Sequence, residues 1–234
     1  MLSLRIGRMR TLKRAEGETT SFVVLGLDPA LGDAARTMGF HPTAGGFVRS
    51  FPSGSAHLDR AFENFERFIE EALLQAAGMR MTPWDQALEE LLGRVDGRSF
   101  SWWLAGSAAL AVRGLEVSPR DLDLIVDDAG AQVLGDLLLD GLIEPVTPAV
   151  DWICRWWGRA FVHARIEWAG GVDERADQPI VGDVGPSAQA RLESIRWRGH
   201  QIRVPPLELQ LAVSERRGLT ERSRLIRAVL GAPS

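Results

Sequence analysis

The chain has 234 residues, 45% of them apolar and 25% charged, the balance of a soluble globular protein with one large domain or a main domain and an appendage. Its formal charge of −4 argues against a surface that grips nucleic acid throughout, and a single cysteine, Cys154, excludes an intrachain disulfide. There is no run of about 18 apolar residues, so a transmembrane helix and a membrane partner are not expected.

The first stretch, MLSLRIGRMRTLKRAEG, is basic and lacks the apolar core of a signal peptide, so the expectation is a cytoplasmic protein. Residues 1–14 carry five cationic side chains and no acid, and are expected to form a loosely packed or disordered arm. SFVVLG over 21–26 reads as a strand, 29–38 as a short helix ending at Gly39, and HPTAGGFVRSF as a turn at Gly45-Gly46 followed by a second strand. From Leu58 the period changes: Leu58, Ala61, Phe62, Phe65, Phe68, Ile69, Leu73 and Leu74 share one helical stripe that stops near Gly78. Residues 1–80 thus read as a small N-terminal α/β module of unknown role.

A second unit, 81–234, opens with Thr82-Pro83-Trp84-Asp85, where Thr82 is placed to cap a helix. Strand FSWWLA follows, then a turn at Gly106-Ser107, a short helix to about Arg113, and strand DLDLIVD. A helix around Val133 to Leu139, the segment WICRWWG and a strand through FVHARIEW come next. After a Gly/Asp/Pro-rich loop over 170–186, RLESIRWRGHQIRV reads as a hairpin turning near Gly199-His200. The tail splits into two helices, with Gly218 ending one and Thr220 capping the next. The fold class is α+β, a mixed sheet flanked by helices beside the N-terminal α/β module.

Chemistry concentrates in DLDLIVD. Along a strand, Asp121 and Asp123 point to one face while Leu122 and Leu124 point to the core. Two carboxylates held close raise one another's pKa unless a cation neutralises them, and hard oxygen ligands suit Mg²⁺ or Mn²⁺. A third acid is wanted on a neighbouring strand; Glu167 is the candidate, on a face shared with Arg165 and His163. Such a triad can position two metal ions, one activating an attacking oxygen and one holding phosphates. Upstream, Gly106-Ser107 stands where a strand enters a helix, and glycine there lets a ligand approach the backbone closely. Phosphate at the turn and metal at the next strand together suit phosphoryl or nucleotidyl transfer.

Gly106-Ser107, thirteen intervening residues, then Asp121-Leu122-Asp123 resembles the glycine-serine, Asp-x-Asp motif of the DNA polymerase beta-type nucleotidyltransferase superfamily. The fuller stretch LAGSAALAVRGLEVSPRDLDLIV is similar to the minimal, antibiotic-modifying and abortive-infection toxin-like members, and the tail PPLELQLAVSERRGLTERSRLI resembles the helices that follow the sheet in the toxin-like ones. The resemblance implies transfer of NMP from an NTP, such as ATP, to an acceptor hydroxyl on RNA or tRNA, a protein or a small molecule. It implies that Asp121, Asp123 and Glu167 hold metal, with Glu167 also able to act as base. Gly106 and Ser107 would hold the triphosphate, with Arg216 or Arg217 as the basic residue assisting. Apart from the resemblance, Arg113 is placed either to reach the triphosphate from the short helix or to be solvated. The chain departs from many relatives in reading Arg222-Ser223 where they read Arg-Asp.

Nine arginines against four glutamates give 191–227 a local +5 like that of residues 1–14, and the two segments tilt the acceptor slightly towards nucleic acid. Trp102, Trp103, Trp152, Trp156 and Trp157 are read mainly as core packing, and Cys154 as a small buried hydrophobe. The histidines have no zinc-ligand spacing, and neither a Walker loop nor a dinucleotide-binding glycine run is found. The alternative is a catalytically silent nucleotidyltransferase-fold binding or regulatory module, such as one half of a toxin–antitoxin pair.

Overall fold

The computed structural model describes residues 9–231. The chain opens with strands β1 (Arg10–Glu16) and β2 (Thr19–Leu25), then helix α1 (Gly32–Thr37), strands β3 (His41–Thr43) and β4 (Gly46–Pro52), and the long helix α2 (Leu58–Ala76). Residues 10–14 are therefore not a loose arm: their alternate backbone groups pair antiparallel with β2, from Arg10↔Leu25 to Arg14↔Ser21. Residues 1–8 of the expected arm lie outside the described residues. The four strands form one antiparallel sheet in the order β1-β2-β4-β3.

The remainder contains α3 (Trp84–Val95), β5 (Trp102–Ala105), α4 (Gly106–Ala111), β6 (Asp121–Val126), α5 (Asp128–Leu137), β7 (Leu142–Pro148), β8 (Trp156–Val162) and β9 (Ala164–Gly170). Then come a one-turn α6 (Pro186–Gln189), the hairpin β10 (Glu193–Trp197) and β11 (His200–Val204), and two closing helices, α7 (Leu207–Arg216) and α8 (Thr220–Leu230). The second sheet runs β5-β6-β9-β8-β7 and is mixed, with β6 and β9 parallel and every other pair antiparallel. The molecule is α+β. No helix among the described residues is long and apolar enough to cross a membrane.

Three local differences from the sequence reading have physical causes. FVHARIEW is not one strand: His163 takes the left-handed backbone, φ 59°, and folds Val162 back against Ala164 as the β8–β9 hairpin. β7 was not expected, because LIEPVTP mixes an acid and two prolines into a strand that is buried through most of its length. Thr82 does not cap α3; Pro83 occupies that position. By contrast α5 is well capped, since Asp127 accepts from Gly130 N at 2.6 Å and Ser101 N at 2.7 Å.

Side-chain alternation decides what the second sheet does. Leu122, Leu124 and Val126 of β6, with Ile166 and Trp168 of β9, enter the main apolar core against α3 and α5. Asp121 and Asp123, with Arg165 and Glu167 alongside, occupy the opposite face. The core is continuous with the N-terminal sheet: Phe22, Phe65, Ile69 and Leu73 belong to the same cluster as Leu122 and Ile166.

Candidate active site

The turn between β5 and α4 is set by Gly106, whose φ of +63° is open to glycine at little cost. A methyl group at this position would also lie 2.1 Å from Asp123 Oδ2, so only glycine lets that carboxylate lie against the turn. Gln210 of α7 fixes the turn from the other side, donating from Nε2 to the Gly106 carbonyl at 3.1 Å.

The parallel register places Asp123 beside Glu167 and Asp121 beside Arg165. One oxygen from each of Asp121, Asp123 and Glu167 falls within 4.8 Å of the others. The three acids named from the sequence are therefore brought together, and Gly106 borders the same pocket.

This acidic cluster is embedded in guanidinium groups, Arg165, which the sequence placed on the face of Glu167, and Arg159, which it did not. Arg165 pairs with Asp121, and its Nε lies 2.8 Å from Glu167 Oε1. Arg159 of β8 donates from Nε to the same Oε1 at 2.6 Å. Burial pushes the Glu167 carboxyl up, but Arg159 and Arg165 outweigh it and hold the group below the usual carboxylate range. Asp123 behaves oppositely: burial, then the charges of Asp121 and Glu167, push its carboxyl well above that range. No guanidinium pairs with Asp123 among the described residues.

The charge balance tests whether a cation fits. Asp121, Glu167 and Glu144 are paired with three guanidiniums, those of Arg49, Arg159 and Arg165, and Asp123 stands beside them as a fourth carboxyl. Asp123 is the acid without a guanidinium, and its ionisation would leave one negative charge over in a cluster of hard oxygen donors. A divalent cation fits both the donor set and the sign.

A pocket of about 330 Å³ opens in front of Asp123 and Glu167, within the range of small-molecule sites. Arg216 at the end of α7, Arg217 just beyond it and Arg222 of α8 line it, as do Trp152, Trp157 and Asp183. Both arginines singled out in the tail thus reach the pocket, and Arg222 joins them. Ser107 and Asp121 border a neighbouring polar groove of about 520 Å³, which shares Arg222 with the first. Trp152 and Trp157 meet edge to face at 4.8 Å between centroids, and Trp152 is 43% exposed. These two serve the pocket wall, while Trp103 is buried in a second small core with Cys154.

Other expected residues lie elsewhere. Arg113 is engaged away from the pocket, donating from Nη2 to the Pro205 carbonyl at 2.7 Å and pairing with Glu193 at 2.5 Å. His163 sits on the β8–β9 turn and meets Glu90 at 2.8 Å, so it does not share the face of Glu167. Three of the nine arginines of the tail are engaged in ion pairs: Arg198 with Asp85 and Glu89, Arg224 with Glu221, and Arg227 with Glu215.

Asp183 was hidden in the Gly/Asp/Pro-rich loop, where an acid reads as solvated. It is 8% exposed, and burial pushes its carboxyl up against the pull of its own backbone amide and of Arg217, Arg222 and Arg216. Glu144 and Arg159 did carry a signal, the same one that marked Asp121: a charge inside an apolar run.

No family model and no curated protein matches the chain. Among solved structures, 62% of the chain is similar to a Thermotoga maritima protein assigned to the nucleotidyltransferases, at 20% identity over 90% of that chain with a TM-score of 0.48. The same share is similar to ANT(2'')-Ia in complex with adenylyl-2''-tobramycin, at 17% identity over 88% of that chain with a TM-score of 0.43. It is similar also to the solution structure of the antibiotic-resistance factor ANT(2'')-Ia, at 15% identity over 82% of that chain with a TM-score of 0.42. All three likenesses are distant.

Proposed function

We propose that the chain is a metal-dependent nucleotidyltransferase that moves NMP from an NTP to an acceptor hydroxyl. The observation that carries this reading is the convergence of Asp121, Asp123 and Glu167 within 4.8 Å at a pocket whose wall holds Arg216, Arg217 and Arg222. Acids that could hold a hard cation and arginines lining the same pocket suit a ligand that is a triphosphate complexed with that cation.

In this reading Asp121, Asp123 and Glu167 hold Mg²⁺ or Mn²⁺, which when bound would neutralise the phosphates and lower the pKa of an attacking hydroxyl. Arg216, Arg217 and Arg222 grip phosphate oxygens by charge-assisted hydrogen bonds, with Ser107 adding a donor from the adjoining groove. α4 has only six residues, so side chains rather than a helix dipole carry the anion binding. Trp152 and Trp157 offer a flat apolar wall to a base or an acceptor ring. Glu167, held ionised by two guanidiniums, is a weak base. Asp183 is better placed to take the acceptor proton, because its carboxyl is raised and lies in the same pocket. Of the nine arginines of the tail, three line the pocket and three are paired with acids, while Arg191, Arg196 and Arg203 stay exposed and without an ion pair among the described residues, so a nucleic-acid acceptor stands beside a protein or a small molecule.

One observation favours a second reading. Arg165 pairs with Asp121 and Arg159 with Glu167, so two of the three acids are neutralised without a cation. A silent binding or regulatory module would keep such a network for structure alone. Labelled transfer separates the two: each of the four common NTPs is offered with Mg²⁺ or Mn²⁺ and cell lysate, beside the Asp121→Asn/Asp123→Asn double variant. Label in one RNA, protein or small-molecule product, lost in the variant, supports the enzyme. No transfer, together with no metal-dependent NTP binding by calorimetry, leaves the silent module.

A further inference from the structure

We propose that the N-terminal module is a working part of the metal site, holding Glu167 in position through Arg159. The inference rests on the reading of Asp121, Asp123 and Glu167 as metal ligands and says what keeps the third ligand in place.

The strand registers line up one row of side chains across four strands: Glu144 of β7 opposite Arg159 of β8, Arg159 opposite Glu167 of β9, and Glu167 beside Asp123 of β6. Arg159 is the middle of this row and is 3% exposed. Its Nε donates to Glu167 Oε1 at 2.6 Å, and its Nη1 pairs with Glu144. The same Nη1 donates to the Met38 carbonyl, just beyond α1, at 2.8 Å. The N-terminal module makes a second tie at Glu144, which accepts from Arg49 Nε of β4 at 3.3 Å. Arg49 is itself seated against Gly39, where φ is +82° and a methyl group would lie 2.8 Å from Nη1. The module thus supplies a carbonyl and a guanidinium to a buried row that ends at the candidate metal ligand.

The planar guanidinium of Arg159 has a fixed fork of donors, so pinning Nη1 fixes where Nε points. With Oε1 of Glu167 taken by Arg159 and Arg165, its other oxygen is left for the cation. Partners one step behind a metal ligand set its orientation, and losing them typically weakens metal binding by about 10–100-fold. Arg159 and Arg49 are positioning residues in this scheme.

The test is calorimetric titration of Mn²⁺ into the full chain, with far-UV circular dichroism and a thermal melt on each variant. Arg49→Ala removes the outer tie at a partly exposed position, so its fold should survive. The expected result is Mn²⁺ affinity weakened at least threefold at an unchanged spectrum, with Arg49→Lys restoring part of the loss. Arg159→Met should weaken it about tenfold or more; if that variant does not fold, the Arg49 pair decides. Folded Arg49→Ala binding Mn²⁺ as tightly as the parent would overturn the inference while leaving the metal reading intact. A parent chain that takes up no Mn²⁺ would overturn the metal reading, and this inference with it.

Discussion

Gly106 and Asp123 share a space with room for only one side chain: a methyl group on Gly106 would stand 2.1 Å from Asp123 Oδ2. The glycine of the turn is thus a condition for the position of the acid. Gly106→Ala has two costs, a side chain at φ +63° and a displaced carboxylate. We expect a loss of stability of about 1–3 kcal/mol, seen in the melt. Mn²⁺ affinity measured by calorimetry should fall at least tenfold. Affinity equal to the parent's would show that the turn and Asp123 are not coupled.

Burial, then the charges of Asp121 and Glu167, raise the Asp123 carboxyl well above its ordinary value. The metal-free folded chain therefore holds a proton that the unfolded chain has already released. More protons bound to the folded state means that stability falls as pH rises from the ordinary carboxylate value to the raised one, then levels off. Each unit of separation is worth about 1.4 kcal/mol. Melts from acid to neutral pH should show this decline in the parent and a flatter curve in Asp123→Asn, which should be the more stable of the two at neutral pH. Mn²⁺, which needs the deprotonated acid, should oppose the decline in the parent alone. Matching slopes for parent and variant without metal would count against the raised carboxyl.

If Asp183 takes the acceptor proton, Asp183→Asn should leave Mn²⁺ affinity within about twofold and cut the transfer rate by about 10²–10⁴. The acid limb of the parent's pH–rate profile should disappear with it, because the group whose ionisation it reports is gone. A variant whose Mn²⁺ affinity collapses instead would make Asp183 a fourth acid of the metal cluster. Unchanged kinetics would remove it from the chemistry.

The Gly-Ser turn and the Asp-x-Asp strand were legible because both leave local marks: a turn residue at a fixed distance and charges in an apolar run. Glu167 was legible by parity along its strand, which survived even though the strand is shorter than FVHARIEW suggested. What sequence spacing could not give is which strands are neighbours. β8 stands between β9 and β7, and only that order puts Arg159 between Glu144 and Glu167. The loop holding Asp183 has no period, and it is placed by contacts from elsewhere, such as Arg216 of α7 donating to the Ile180 carbonyl at 3.3 Å, rather than by any pattern of its own. His163 failed as a strand residue because a left-handed turn in a non-glycine residue has little sequence signature.

The apolar stripe of α2 was read from the sequence as the face of a separate module, and its packing leads to the last prediction. Phe65, Ile69 and Leu73 are at most 1% exposed and share one core with the second sheet. Phe68 stacks on Phe161 of β8 at 5.4 Å between centroids. Asn64 donates to the Leu142 carbonyl at 3.0 Å, and Gln75 to the His163 carbonyl at 3.0 Å. Fully buried side chains of this size contribute about 1.5–3 kcal/mol each, so removing three of them alone forfeits much of a stability of about 5–15 kcal/mol. Residues 81–234 expressed alone should therefore be insoluble or lack a cooperative melt, and mixing with separately made 1–80 should restore one. A soluble 81–234 fragment with a sharp transition and the parent's Mn²⁺ affinity would show instead that the first 80 residues are an independent appendage, and that the row through Arg159 is held from the second sheet alone.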